Sequence, residues 1–331
     1  MRILVGSEDG LHLVRWLEGE KTGAVEDRAF EGEEVAALVP ARDGAILAAV
    51  PELGLFRSDD GVAWTLLADR LNGGRITALA AAPSGTVVAG TEPTGLHASR
   101  DGGATWAEFE TFAALGADED WSDYGGRAAH VATIALDPHD AARLYVGVEI
   151  GGAYRSDDAG ASWEGVNEGL FDDIHDIMVD PRDGSRVYAA TGGGLYVSLD
   201  RGADWRPLPG ELGDRYCLRF FSLASTPVTG PAESLFLLGT AGGPPSTWGK
   251  RGTKSGAQLW ASLDSGRNWS PLEEHGTRDT SPVTALAGNP RNESAVLAGT
   301  AQGHLLHGHL NDDHWHQIMY GLGAVRSLLV L

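Results

Sequence analysis

The sequence predicts an all-β fold: a seven-bladed β-propeller over residues 1–331, folded as a single domain, with the C-terminal strand closing the N-terminal blade. Three observations carry this expectation. A box of the form Ser-x-Asp-x-Gly-x-x-Trp recurs at Ser99–Trp106, Ser156–Trp163, Ser198–Trp205 and Ser262–Trp269, shortened at Ser58–Trp64 and worn where it ends at Trp315. Ahead of each box lie apolar runs with the alternation of strands, separated by Gly, Asp and Pro clusters that read as turns. The first unit lacks an opening strand, and the missing one stands at the far end of the chain, at Val325–Leu331.

Each unit divides into four strands, a to d, with the box at the turn between c and d. Strand a is expected at 34–39, 75–81, 130–136, 174–179, 217–224 and 282–287. Strand b ends in a small-residue step, as in Val87-Val88-Ala89-Gly90-Thr91 and Val296-Leu297-Ala298-Gly299-Thr300. Strand c follows, as in Gly95-Leu96-His97-Ala98-Ser99, and a short variable strand d comes after the box Trp. Arg2–Gly6 and Gly10–Val14 match strands b and c of the unit that the C-terminal strand completes, which would close a ring and hide its sheet edges.

The box has a physical account of its own. Its Asp accepts bonds from nearby backbone N–H groups, its Gly takes a positive φ without penalty, and its Trp folds back as an apolar plug. One carboxylate per turn is too few for Ca²⁺, which wants six or more oxygens. The boxes are therefore read as structural.

Composition bounds the function. A net charge of −21 argues against a nucleic-acid partner, which needs a basic face, and against an anionic membrane surface. A single cysteine, Cys217, excludes an internal disulfide, and its expected state is a buried, inert thiol. The N-terminus runs directly into a strand and no apolar run reaches the ~18 residues of a membrane span, so the expected location is cytoplasmic.

With five good boxes and one worn one, nearly the whole chain resembles the Asp-box, or BNR-repeat, β-propellers. That group includes sialidases, xyloglucan-cleaving glycosidases, sortilin-type receptors and photosystem II assembly factors. The resemblance implies the fold; the box itself serves unrelated activities. The early Arg-Ile-Pro signature of sialidases is missing. The xyloglucan-cleaving enzymes pair two propellers around a groove, and this sequence has length for one. No catalytic residue carries over.

Candidate site residues come from the end of the blades opposite the boxes, at the expected mouth of the channel. The b–c turns hold an acidic column, Glu8, Glu52, Glu92 and Glu149. It would supply a general acid and base or bind a cation or sugar, and a solvated acidic rim is the plain alternative. Arg75 and His130 open their strands a, while His175, Arg219 and Arg326 sit two places further along, at the step held elsewhere by Thr77, Ala132 and Thr284. His175, flanked by Asp173, is a candidate acid/base, as are Glu149 and Glu92, and all four are the expected catalytic set. Arg75, His130, Arg219 and Arg326 would bind a polar or anionic ligand, or pair with the glutamates as a structural ring.

Two insertions, Phe112 to Arg127 and Thr240 to Gln258, break the repeat spacing on the same face. Trp121, Tyr124 and Trp248 within them are expected to stack on a ligand as parts of lids. His12 and His97 fall in a packing column, and the histidines at 304–316 scatter over turn, strand and outer face. No dedicated metal site or cofactor is expected, although a divalent metal at the mouth would suit His175 and its carboxylates. The functional expectation is a hydrolase or lyase, possible relatives being glycosidases, on a small-molecule ligand; the alternative is a non-enzymatic scaffold or assembly factor with a protein partner.

Overall fold

A computed structural model describes residues 1–118, 121, 128–224, 233–248, 255–272, 281–309 and 315–331. The strands form seven four-stranded antiparallel sheets, the blades of a seven-bladed β-propeller. Blade 1 takes its innermost strand from the C-terminus: Val325–Val330 pairs antiparallel with Arg2–Ser7, followed by Gly10–Arg15 and Ala24–Ala29. Strands a of blades 2 to 7 are Ala37–Pro40, Arg75–Ala81, His130–Leu136, Ile174–Asp180, Tyr216–Ala224 and Val283–Asn289. These agree with the expected innermost strands to within about three residues at any end.

Contacts divide the chain into two compact units. One, Met1–Val35 with Arg215–Leu331, holds blades 1, 6 and 7; the other, Ala36–Asp214, holds blades 2 to 5. In the first unit, Ile3, Val5 and Val14 pack with Leu297, Leu305 and Val325. In the second, Val146, Val148 and Tyr154 pack with Val131 and Phe112, and Tyr145, Val166 and Ile174 with Trp205.

The boxes behave as their chemistry requires. Ser99 Oγ donates to Asp101 Oδ1 (2.8 Å) and accepts from Gly103 N (2.8 Å), while Thr105 N donates to the same Asp101 oxygen (2.9 Å). Ser156–Asp158, Ser198–Asp200 and Ser262–Asp264 repeat this pattern bond for bond. The turn needs two successive left-handed residues. In blade 3 both are glycine, Gly102 and Gly103, whereas blades 4 to 6 place Ala159, Arg201 and Ser265 at the first. Trp205 is buried and donates from Nε1 to Val166 O (2.8 Å), tying its box to the preceding blade. The worn box crosses residues 310–314, outside the described residues, and ends on a buried Trp315.

The small-residue step is a packing device. A Cβ on Gly90 would lie 2.4 Å from the Val131 side chain, and one on Gly147 would lie 2.5 Å from that of Ile174. In the other unit a Cβ on Gly299 would lie 2.3 Å from that of Val325. Each glycine thus admits the first apolar residue of the next blade's strand a. Right behind that contact, strand a carries a β-bulge of one residue: Thr77, Ala132, His175, Leu218, Thr284 and Arg326 in blades 3 to 7 and 1. Bulges re-aim side chains and bend the strand. Thr77 Oγ1 uses the geometry to donate across to Val131 O (2.8 Å), and Thr284 Oγ1 to Val325 O (2.6 Å).

Two expectations need correction here. Arg219 is not in the column of His175 and Arg326; Leu218 occupies the bulge, and Arg219 lies opposite Gly239, level with Thr133 and Asp176. The first insertion does not begin as a loop. Residues Glu110–Asp118 form helix α1, with Phe112 fully buried against Tyr154 and Trp163.

Two outcomes are expected. Gly147→Ala, which forces a methyl into Ile174, should cost about 1–3 kcal/mol in urea denaturation, as overpacking does. The box carboxylates are held low by hydrogen bonds: the Thr105 hydroxyl, the Thr105 N–H and Ser99 bring Asp101 from 3.8 down to about 2. A lowered acid stabilises the fold fully above its ordinary value and loses that effect as pH falls through its folded value. The thermal midpoint should therefore hold above about pH 4 and fall as the pH drops from there toward about 2, with Asp101→Asn flattening part of that slope.

Candidate functional site

Four candidate residues meet at the b–c end of blades 4 and 5, within the second unit. His130 opens strand a of blade 4 and pairs in register with Glu149 at the end of strand b. Their side chains approach to 3.7 Å between Nε2 and Oε2. Asp173 precedes strand a of blade 5 and His175 is its bulged residue, with Nε2 3.3 Å from Asp173 Oδ1. Glu149, Asp173 and His175 each offer a ligand atom within 4.8 Å of the others.

Local packing explains why they meet. Gly147, two residues before Glu149, receives Ile174, one residue before His175. The same contact therefore sets both sides of the site. Gly192 N donates to Asp173 O (3.0 Å), and a Cβ on Gly192 would fall 2.2 Å from Asp173 Oδ2, so only glycine leaves room for that carboxylate. Asp173 and His175 are buried, while the Glu149 side chain is 36% exposed. The site therefore has a closed floor and an open edge.

The b–c turn of blade 4 is braced from behind. Trp121 Nε1 donates to Tyr154 Oη (2.8 Å), which donates in turn to Gly151 O (3.0 Å). Trp121 also packs on Phe112 and on Gly116 of α1. It supports the turn that holds Glu149, its ring packed into this cluster. Tyr124 lies outside the described residues. Sequence reasoning missed Phe171, which is 37% exposed, sits over Gly193 and precedes Asp172 and Asp173 by one and two residues. The signal was an aromatic directly before an acidic pair in a d–a connection.

Other candidates at this end are neutralised by guanidinium groups. Arg75 bonds Glu92 through Nη2 and Glu52 Oε1 through Nη1 (2.6 Å), and Arg70 adds a bond to Glu52 (3.0 Å). Arg75 holds the Glu52 carboxyl below its ordinary range, and the two glutamates raise the guanidinium in return. Glu92 is thus the partner of Arg75, in register with it across the sheet, and it stands apart from the Glu149 cluster. In the first unit Arg326 bonds Glu8 and lies 3.1 Å from Glu34. Trp248, also there, donates to Gly243 O (2.8 Å) and meets Tyr216 edge-on at 6.3 Å. The remaining polar candidates are packing groups. Burial pushes the Cys217 thiol up to about 12 and the His97 imidazole down to about 4. His307 is buried against Trp16 at 4.6 Å and its imidazole is lowered by burial.

The geometry finds parallels among known proteins. No family model matches the chain. It is 29% identical over 167 residues to a xyloglucanase of Hypocrea jecorina, covering 45% of this chain and 18% of that protein. A xyloglucanase of a Paenibacillus species is 28% identical over 182 residues, covering 49% of this chain and 16% of that protein. The chain thus spans under one fifth of the length of these curated relatives. Among solved structures, the GH74 xyloglucanase from Xanthomonas campestris superposes with a TM-score of 0.61 at 20% identity, covering 94% of this chain and 52% of that one. YCF48 bound to D1 peptide gives 0.55 at 16%, covering 86% and 82%. At these identities the likeness is one of fold: the chain is a seven-bladed β-propeller.

Proposed function

We propose that this protein is a hydrolase acting on a saccharide at the b–c end of blades 4 and 5. The observation that carries the reading is the convergence of Glu149, Asp173 and His175 within 4.8 Å, with a buried floor and an exposed glutamate. In this reading Asp173 orients His175, His175 takes the proton of the attacking water, and Glu149 protonates the leaving oxygen. Such paired proton transfers are each worth about 10²–10⁴-fold. The partnering of carboxylates supports this location over the rest of the rim. A guanidinium stays charged throughout the accessible pH range, whereas an imidazole exchanges its proton near neutrality. Among the described residues His12 likewise faces the b–c carboxylate of Asp9 at 3.3 Å, but that pair is not joined by a third His, Cys, Asp or Glu as His175, Asp173 and Glu149 are.

Ligand class follows from the same ion pairs. Arg75 is engaged by two carboxylates, so an uncharged polyol suits this end of the second unit better than an anion. Phe171 adds an apolar surface against which a sugar ring would stack. The similarity to curated xyloglucanases supports the same substrate class. A second reading, a non-enzymatic propeller that holds a protein partner as YCF48 holds D1 peptide, is favoured by the neutralised Arg–Glu pairs.

Reducing-sugar release from xyloglucan and mixed β-glucan oligosaccharides separates the two. The wild-type chain should release sugar, and Glu149→Gln and His175→Gln should each lower turnover by about 10²-fold or more. Arg70→Gln, outside the cluster, should leave it within a few-fold. A wild-type protein without turnover would turn the assignment toward the scaffold reading, and variants with full turnover would overturn Glu149 and His175 as the site.

A further inference from the structure

The trio that the hydrolase reading uses for proton transfer has a second property, visible in its distances. His175 Nε2 and Asp173 Oδ1 stand 3.3 Å apart. A charge-assisted N–H···O bond prefers about 2.7–2.9 Å. Two ligands at about 2.0–2.1 Å from one tetrahedral ion, by contrast, lie about 3.3 Å apart. The separation fits an edge of such a tetrahedron, as does the 3.3 Å of the His12–Asp9 hydrogen bond, and the third donor is what sets the His175 pair apart. Glu149 supplies a third ligand oxygen from the neighbouring blade, within 4.8 Å of both, and needs a displacement of up to about 1.5 Å to complete a face.

We infer that Glu149, Asp173 and His175 bind a divalent first-row transition ion of the Zn²⁺ class. The donor set decides the class. One imidazole nitrogen with two carboxylate oxygens suits Zn²⁺, Co²⁺ or Mn²⁺, whereas Ca²⁺ wants six to eight oxygens and a thiolate site would need cysteines absent here. Three protein ligands leave one tetrahedral position for water or a substrate oxygen, the arrangement of catalytic rather than structural sites.

The surroundings are those of a held ligand set. His130 faces the Glu149 carboxylate at 3.7 Å, close enough for a small shift to make the hydrogen bond that would orient a ligating carboxylate. Gly192 provides the space that Asp173 Oδ2 fills, since any Cβ there would lie 2.2 Å from it. His175 projects from a β-bulge, and Asp173 is anchored two residues earlier by Gly192 N. This is the one grouping of three or more His, Cys, Asp or Glu ligand atoms at such spacing among the described residues.

The inference shares residues with the hydrolase reading. With an ion bound, His175 and Glu149 would be ligands and could not carry those protons, and a bound water would supply the nucleophile in their place. Binding itself is tested without turnover. Co²⁺ titrated into the full chain should give visible d–d absorption saturating at one equivalent, and Zn²⁺ should displace it. Glu149→Gln, Asp173→Asn and His175→Gln should each weaken Co²⁺ binding by about 100-fold or more, and His130→Gln by about 10-fold. Glu149 is half-exposed, so its variant keeps the test informative if the buried variants do not fold. No saturable absorption, or absorption retained in Glu149→Gln and placed at the histidines of 304–316 by loss in His309→Gln, would overturn the site. An active chain that binds no Co²⁺ refutes the metal alone; a Co²⁺-binding chain without turnover refutes the hydrolase alone.

Discussion

The Ser–Asp hydrogen-bonded turn is the interaction on which the rest depends. In each intact box a serine hydroxyl bridges the aspartate and a glycine N–H, and the aspartate holds the backbone that leads to the tryptophan. The carboxylate is consumed by these bonds and held low by them. A charge that is fully committed to its own turn has no capacity left for chemistry. The repeat therefore fixes strand c against strand d at one end, and variation is free to accumulate at the other.

At that other end the governing constraint is steric. The glycine of strand b lets the next blade's first apolar residue come close, and the bulge behind it turns one side chain out of the alternation. Where that side chain is a threonine, it is spent on a carbonyl of the next blade. In blade 5 it is a histidine with an aspartate two residues before it, and the preceding blade ends strand b on a glutamate. A packing rule common to the blades thus becomes a polar centre through substitution at three positions.

Much of the architecture was legible from the residues. The box spacing located the c–d turns, the small-residue steps located strands b, and the orphaned Val325–Leu331 segment gave the closure of blade 1. The misplacement of Arg219 shows where that legibility ends. A bulge adds a residue that a strand count does not register, and the signal that resolves it is Gly239, which lies opposite Arg219 as Gly147 lies opposite Thr133. Helix α1 was missed because its short run interrupts a repeat of strands and carries no capping signature that outweighs the context. Trp121 marks a second limit: in sequence, an aromatic in an insertion looks the same whether it covers a ligand or braces a turn. Only the bond to Tyr154 distinguishes them.

A ring of arginine–glutamate pairs is one reading of the sequence, but which glutamates are locked in it cannot be read from the acidic column, since Glu92 and Glu149 occupy equivalent places in their strands. Their difference lies in the residue across the sheet, arginine in one blade and histidine in the next. A guanidinium locks its carboxylates, and an imidazole leaves them able to exchange protons or share an ion. The account rests on this division of one rim into locked and exchangeable carboxylates. A crystal structure of the protein soaked with a xyloglucan oligosaccharide tests it most directly. Sugar density within hydrogen-bond reach of Glu149 and His175, with Arg75 still bonded to Glu52 and Glu92, is the predicted result. Density seated instead on Arg75, with its glutamates displaced, would contradict it.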